Sequence, residues 1–515
     1  MHATIPEGSR IAVIGAGISG IAAAHVLRTQ GFAPVVFERG DAPGGVWAVA
    51  YPGVRLQNVA AQYHLSDVPW PTPPDLHPTG AQIRDYLRHA IERCALDVRL
   101  RHEVVALEPV PNGGWLLRYR APDGEGAEPF AYAVIAVGQY TEGKRRLCLP
   151  GAESFAGDVL TERDVTSLDV FDGRRVAVVG FGKSAVDMAT LAAPRARSVH
   201  QIFRTPRWLL PEHLLGIHFT WALFSRFGTV MMPSWGHPTA AERALHGPLG
   251  GVVARFWRMI EGVFRRQALA HAPRGDVAAR TAARARLDAV LPAHPLARDL
   301  RSASAMAPPD YFRHVADGRI QPVRGEVASL AADGVRLTDG EMVPADLVLQ
   351  CVGSTPPRFP FLPAEARALL ESEPDGVQLY RHLVHPRLPT LGFAGFNHGF
   401  LHVPAVEVGT LWLCAVLRGE LALPPVDEME RSVERVRAWK RAHVHFEPSR
   451  SCATSTRFQQ YLDLLLLDLG VSPYRKPHPV AELFGRYGAA DYRGVGDEYR
   501  RRRVVGMRRP VAVDT

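Results

Sequence analysis

The sequence is short of the features that would give it metal or thiol chemistry of its own. Its five cysteines, Cys94, Cys148, Cys351, Cys414 and Cys452, lie far apart and form no CxxC or CxxxxC pair. With that spacing a disulfide framework, a zinc site and a redox-active dithiol are all unsupported. Long hydrophobic runs are also lacking. The two most apolar stretches, 216–232 and 401–417, carry Arg226 and Glu407 and fall short of an uninterrupted membrane span. Phe219, Trp221, Phe224 and Phe227 in the first of them could still meet a membrane surface or line a pocket. Too few residues precede the buried-type strand at Ile11 for a cleavable signal, so a reducing cytoplasm is the expected location. The net charge of +8 comes from arginines scattered along the chain, densest from Arg500 to Arg503. With no zinc spacing and no aromatic ribonucleoprotein motif beside that charge, nucleic acid is not an expected partner.

What is present is an ordinary globular composition, 47% hydrophobic and 22% charged over 515 residues, long enough for two to four domains. Two stretches read as strand, Gly-rich turn, helix and strand. In the first, RIAVIG runs into AGISG, then IAAAHVLRTQG and APVVFE. Gly15 makes the turn, Gly17 admits a pyrophosphate to the backbone, Gly20 lets helix and strand pack closely, and Glu38 stands where an acid takes ribose hydroxyls. In the second, RRVAVVG is followed by FGKSAVD and SVHQIF, with Gly180 and Gly182 in the turn and Ser184 and Ala185 in place of the third glycine. Its second strand ends in Phe203 and Arg204, with Arg207 close behind. Arginine at that edge suits a 2′-phosphate and an acid would repel it, so NADPH is expected over NADH. A first site ending in an acid and a second ending in arginine together imply FAD plus a nicotinamide donor.

Further along, Gly44, Gly45, Val46 and Trp47 form a turn whose glycines permit close approach to a cofactor. Helical patterning spans 82–93, and strands are expected at 98–101, 104–107, 115–119 and 132–137. A hairpin region is expected at 320–323, 327–330 and 334–337, ahead of a buried strand at 346–351 that runs into Gly353. Between about 210 and 305 the pattern is helical and rich in Ala, Arg and aromatics, which reads as an inserted subdomain rather than a loop. The segment 461–503 combines an amphipathic helix with YRKP and an Arg-rich end, and reads as a structural cover.

With GAGISG, GGVW, GFGKSA, the strand endings at Gly138 and Gly353, and FAGFNHGFLHVPAVEVG in this order, the chain resembles the flavin-containing monooxygenases from Arg10 to Pro424. The run YPGVRLQNVAAQYHLSDVPWP from Tyr51 is similar to the stretch after the GG-x-W turn in plant and fungal members, and its opening is similar to Baeyer–Villiger relatives. There are departures. The family's FxGxxxH followed by an aromatic is represented by Phe155 and Gly157, but Thr161 and Val165 replace the histidine and the aromatic. Gln57 stands where Baeyer–Villiger relatives usually carry an aspartate.

The resemblance implies the fold: α/β, with two dinucleotide-binding, Rossmann-like domains, the second inserted in the first, and an added helical subdomain. The expected boundaries are 1–150 and 345–440 for the FAD-binding domain, 151–344 for the NADPH-binding domain with its insert, and 441–515 for a C-terminal helical extension. It also implies the chemistry, in which NADPH reduces FAD, dioxygen forms a hydroperoxide at the flavin C4a carbon, and one oxygen atom passes to a small organic substrate. Gln57, with Asn58 second, is the expected polar residue at the flavin edge. A neutral amide cannot position an arginine by ion pairing, which favours oxygenation at nitrogen or sulfur over Baeyer–Villiger insertion into a ketone. His398 and His402 read as residues beside the flavin or as structural histidines, and no metal is expected. A flavin dehydrogenase or oxidase and a non-catalytic nucleotide-binding protein remain alternatives. The partners expected are the substrate and dioxygen, with a membrane surface and a second copy of the chain left open.

Overall fold

The structure, a computed structural model, describes residues 4–111, 113–139, 143–232, 239–300, 305–444, 451–452, 454, 456–502 and 509–511. Arg503, the last residue of the C-terminal arginine cluster, lies outside them.

The first Gly-rich unit builds a parallel sheet in the order Leu391–Phe393, Tyr132–Ile135, Arg10–Ile14, Ala33–Glu38 and Asp97–Leu100. The strand Arg10–Ile14 is apolar after its first residue because both faces are covered, as parallel strands require. On one face lies the helix Ile18–Thr29, where Ala22, Ala23 and Ala24 are fully buried and bring the backbones close. An antiparallel layer of Glu103–Pro109, Trp115–Ala121 and Gly124–Phe130 is tied to this sheet by Trp115, whose indole N–H donates to the Thr390 carbonyl at 2.9 Å. The strand Gly124–Phe130 was not expected. Its sequence GEGAEPF has no run of β-branched residues, and it is held by backbone pairing with Trp115–Ala121 and by Glu128, which bonds to Arg10 and Arg99 of the parallel sheet.

The second unit builds another parallel sheet, ordered Ile320–Arg324, Ser198–Phe203, Arg175–Val179, Leu347–Gln350 and Asp158–Leu160. Two expectations need correction here. Leu347–Gln350 lies between Arg175–Val179 and Asp158–Leu160, so the second unit extends to Gln350 and does not stop at 344. Ile320–Arg324 is the parallel edge strand beside Ser198–Phe203, and the antiparallel sheet is instead Val327–Ala331, Gly334–Leu337 and Met342–Pro344. A buried apolar strand looks alike in either sheet, and its neighbours are chosen by the crossovers around it. The chain leaves the first unit and returns to it along two segments that touch, Arg145 N–H donating to the Gly353 carbonyl at 2.9 Å. The second unit is therefore inserted in the first.

The helical insert has its neck pinched by parallel pairing of Leu209–Leu210 with Ala305–Met306. Its main helices are Gly250–Leu269 and Val277–Ala289. The helix His402–Leu417 is buried along its whole length, between Ile18–Thr29 and the C-terminal helix Phe458–Leu469. The C-terminal segment is fastened to the insert through Arg226, which bonds to Asp463, Glu482 and the Pro473 carbonyl. Among the described residues no helix is long and apolar enough to cross a membrane.

Candidate functional site

Both Gly-rich turns leave a helix N-terminus bare. Gly17 caps Ile18–Thr29 and Gly182 caps Lys183–Ala192, and neither helix receives a side-chain cap. Elsewhere Thr79, Thr239 and Asp276 cap the helices that follow them. The free amides of the first turn of each uncapped helix are thus left for an anion.

The glycines divide into two kinds. Gly15 and Gly180 have φ of +109° and +128°, and an added Cβ would lie 2.6 Å from the Ala136 carbonyl oxygen and 2.3 Å from that of Cys351. They are required by the fold itself, as is Gly20, whose added Cβ would lie 1.9 Å from the Gly15 oxygen. Gly17 and Gly182 differ, with φ of −73° and −84°, values any residue adopts. A Cβ on Gly17 would meet nothing nearer than the Gly45 Cα at 3.6 Å, and one on Gly182 would enter open space. Among the described residues nothing forbids a side chain at these two positions. The space they keep clear lies over the helix amides.

Glu38 reaches back to the first turn, accepting from Ala16 N–H and Gly40 N–H, each at 2.8 Å. The acid is thereby fixed at the mouth of the turn with its remaining lone pairs available. Gly45 approaches Gly17, and Trp47 is buried with its indole N–H donating to the Tyr63 hydroxyl at 2.9 Å. Trp47 therefore supports the turn from behind. Ser184 is half-buried on the first turn of Lys183–Ala192.

Gln57 and Asn58 sit between the units. The Gln57 amide oxygen accepts from Met306 N–H at 2.9 Å, at the neck of the insert, while the Asn58 amide donates to the Phe400 carbonyl. The segment around Phe400 gathers further contacts. Gln139 donates to the Phe396 carbonyl at 2.7 Å, and His402 Nε2 is 2.9 Å from the Ser19 hydroxyl on the helix of the first turn. His398 and His402 have ring centroids 5.1 Å apart. Burial first, and then His398, push the His402 imidazole down to about 3, so it is a neutral hydrogen-bonding partner of Ser19.

Comparison with known proteins gives these turns a context. Residues 8–241, which include both turns, match the family model described as flavin-binding monooxygenase-like. The chain is 26% identical to "Probable flavin-containing monooxygenase 1" of Arabidopsis thaliana, over 94% of this chain and 96% of that one. It is 25% identical to the N-oxide-forming dimethylaniline monooxygenase 2 of Rattus norvegicus, over 95% of this chain and 89% of that one. The chain thus matches the flavin-binding monooxygenase-like model over residues 8–241 and is similar to flavin-containing monooxygenases over nearly its whole length. In fold the monooxygenase is similar to an open crystal structure of cyclohexanone monooxygenase, with TM-score 0.64, 17% identity, and coverage of 90% of this chain and 98% of that one.

The bare amides, the cleared space at Gly17 and the fixed acid Glu38 fit the diphosphate and ribose of FAD, and the turn at Gly182 fits a second dinucleotide. The two expected phosphate arginines are in unequal positions. Arg204 is 76% exposed and only loosely paired, 3.5 Å from Glu326, whereas Arg207 is 3.3 Å from Asp299, a fully buried carboxylate. Asp299 also accepts from Trp208 N–H at 2.9 Å and lies 2.7 Å from His294, so Arg207 helps to neutralise a charge inside the insert.

One residue of this monooxygenase was missed by sequence reasoning. Tyr51 is buried, and its hydroxyl donates at 2.6 Å to Asp187, which also pairs with Lys183 on the helix after Gly182. Burial, with the Asp187 carboxylate beside it, pushes the Tyr51 hydroxyl up and keeps it protonated. The contact ties the loop after the first turn to the helix of the second. The available signal was a tyrosine opening YPGVR together with an aspartate five residues after Gly182. Tyr51→Phe removes a hydrogen bond to the carboxylate that Lys183 also grips, of the kind worth about 1.5–3 kcal/mol. Flavin reduction by NADPH is expected to slow about tenfold with FAD content retained, since a tenfold loss corresponds to about 1.4 kcal/mol of misplacement. An unchanged reduction rate in stopped-flow absorbance would show that the contact does not position the two units for reaction.

Proposed function

We propose that this monooxygenase transfers one atom of dioxygen to nitrogen or sulfur of a small organic substrate, with FAD on the turn Gly15 to Gly20 and NADPH on the turn Gly180 to Ser184. When bound, FAD supplies the chemistry with dioxygen and NADPH the reducing hydride. The protein binds, orients and excludes water. The amides after Gly17 and after Gly182 hold the two diphosphates, Glu38 accepts from ribose hydroxyls, and Gln57 and Asn58 orient the reacting edges. The observation that carries the choice of nitrogen or sulfur is Gln57, an uncharged side chain whose oxygen is already occupied by the Met306 N–H. Insertion into a ketone needs a nucleophilic, anionic oxygen donor, for which an ion-paired arginine is the expected support. A neutral amide at position 57 supplies no such pairing. The rat relative's name, N-oxide-forming, agrees with this reading, while the likeness to cyclohexanone monooxygenase is one of fold. Dioxygen and the substrate are the proposed partners, and the cytoplasm is the proposed compartment.

The test is a panel of tertiary amines, thioethers and cyclic ketones under the same NADPH and oxygen, scored by product and not by NADPH consumption. N-oxides or S-oxides are expected. Lactones or esters with every amine and thioether returned unchanged would replace this reading by Baeyer–Villiger oxidation. Flavin reduction with no oxygenated product from any class would favour a dehydrogenase or oxidase.

The nicotinamide preference separates the two arginines. Arg204→Ala is expected to lower the NADPH over NADH preference by about tenfold to a hundredfold, the range of one charge-assisted hydrogen bond, without loss of thermal stability. Arg207→Ala is expected to lower the melting temperature, because buried Asp299 loses a cation. Ratios of kcat/KM for the two cofactors, measured beside melting curves, check both. Equal use of NADH and NADPH by the unaltered protein would remove the assignment.

A further inference from the structure

We propose that His77, Glu212 and His218 form a binding site for a divalent transition metal ion of the zinc type, which staples the helical insert to the loop carrying Gln57 and Asn58. One ligand atom from each of these three side chains lies within 4.8 Å of the others. They come from two parts of the fold. His77 belongs to the loop before the helix Gly80–Arg93, whereas Glu212 immediately precedes and His218 ends the small hairpin of His213–Leu214 and Ile217–His218 in the insert. Phe219 N–H closes that hairpin on the Glu212 carbonyl at 2.9 Å.

The hydrogen bonding leaves ring nitrogens available. His77 Nδ1 lies 3.1 Å from the Leu56 carbonyl and 3.0 Å from the Asn58 carbonyl, so this nitrogen carries the proton and Nε2 offers its lone pair. A histidine that donates its other ring N–H to a backbone carbonyl is the usual arrangement behind a metal ligand. His218 Nδ1 lies 2.9 Å from the Thr220 hydroxyl and accepts weakly from Thr220 N–H at 3.4 Å, so ligation through Nε2 requires the ring proton to pass to Nδ1, which then donates to that hydroxyl; Nε2 itself is buried with no hydrogen-bond partner among the described residues. The nearest acid to that nitrogen is Glu212, 3.9 Å away. A buried ring nitrogen without a partner is costly unless something coordinates it. Two imidazoles and one carboxylate select zinc and its transition-metal neighbours over magnesium or calcium, which take oxygen ligands. Ligand bonds of about 2.0–2.2 Å require these atoms to draw closer, and Glu212, 39% exposed at its side chain, has the freedom to move. The consequence reaches the candidate active site because the two carbonyls gripped by His77 bracket Gln57. No sequence spacing announces the set, since its members come from separate domains.

The experiment titrates Zn2+ into the full-length protein after chelator treatment and dialysis, by calorimetry, with thermal melts and Zn-edge X-ray absorption on the same samples. One equivalent is expected to bind, to raise the melting temperature and to show two imidazole ligands. His77→Ala, His218→Ala and Glu212→Ala should each weaken binding by at least about tenfold. Circular dichroism confirms that each variant compared is folded, and Glu212→Ala serves where a histidine variant is not. No saturable Zn2+ binding by the unaltered protein, or equal affinity in the folded variants, would overturn the site. Neither result depends on the oxygenation chemistry.

Discussion

A Gly182→Val protein is expected to purify yellow and folded, yet to be reduced by NADPH at least about a hundredfold less efficiently than the unaltered chain. The backbone at position 182 has φ of −84°, and a Cβ there meets nothing within 4 Å, so the polypeptide tolerates valine. What valine obstructs is the space over the uncapped amides of Lys183–Ala192, where the second diphosphate is proposed to lie. Losing about 2.7 kcal/mol of binding there corresponds to the hundredfold. Stopped-flow reduction over a range of NADPH concentrations measures it. A near-normal kcat/KM would mean that this turn does not carry the nicotinamide nucleotide. A colourless product would mean that position 182 matters to the whole fold, against the geometry.

The complementary substitution, Gly17→Val, is expected to give protein with less than about a tenth of its FAD, equivalent to more than about 1.4 kcal/mol of lost binding at limiting flavin. Here φ is −73°, and the nearest contact of an added Cβ is the Gly45 Cα at 3.6 Å, a distance of ordinary packing. The fold accepts the branch point, and the added methyl groups are expected to obstruct the space over the uncapped helix amides. Gly15→Val is a different experiment. At φ of +109°, with the Ala136 oxygen 2.6 Å from any Cβ, it strains the turn directly and should lower stability as well as flavin content. Bound flavin, released by heat and measured by absorbance, distinguishes the two. Full FAD content in Gly17→Val would remove the flavin from the first turn.

The uneven fate of the sequence readings has physical causes. The turn built from Gly15, Gly17 and Gly20 with Glu38 at its mouth was legible because such a unit is local: strand, glycines, helix and acid follow one another within about 30 residues, and each has a separate steric or polar role. Gly180 and Gly182 were legible for the same reason. The roles of Arg204 and Arg207 could not be separated in the sequence, where both are arginines just past a strand. Only the approach of Asp299 from the far side of the insert commits Arg207 to a buried charge and leaves Arg204 more exposed.

The sequence by itself determined that there are two Gly-rich strand–turn–helix units, and that the second strand of one ends in an acid and that of the other in arginine. It also determined that a helical segment interrupts the second unit, and that no cysteine pair is available. These properties depend on residues near one another in the chain. The tertiary structure decided the rest. It placed Leu347–Gln350 in the second sheet, because a buried strand of either sheet is equally apolar and its neighbours are set by the crossovers. It joined Tyr51 to Asp187, Gln57 to Met306 and Ser19 to His402, each pair distant in the chain. Such contacts follow from how two sheets and an insert pack against one another, and that packing carries no local signature.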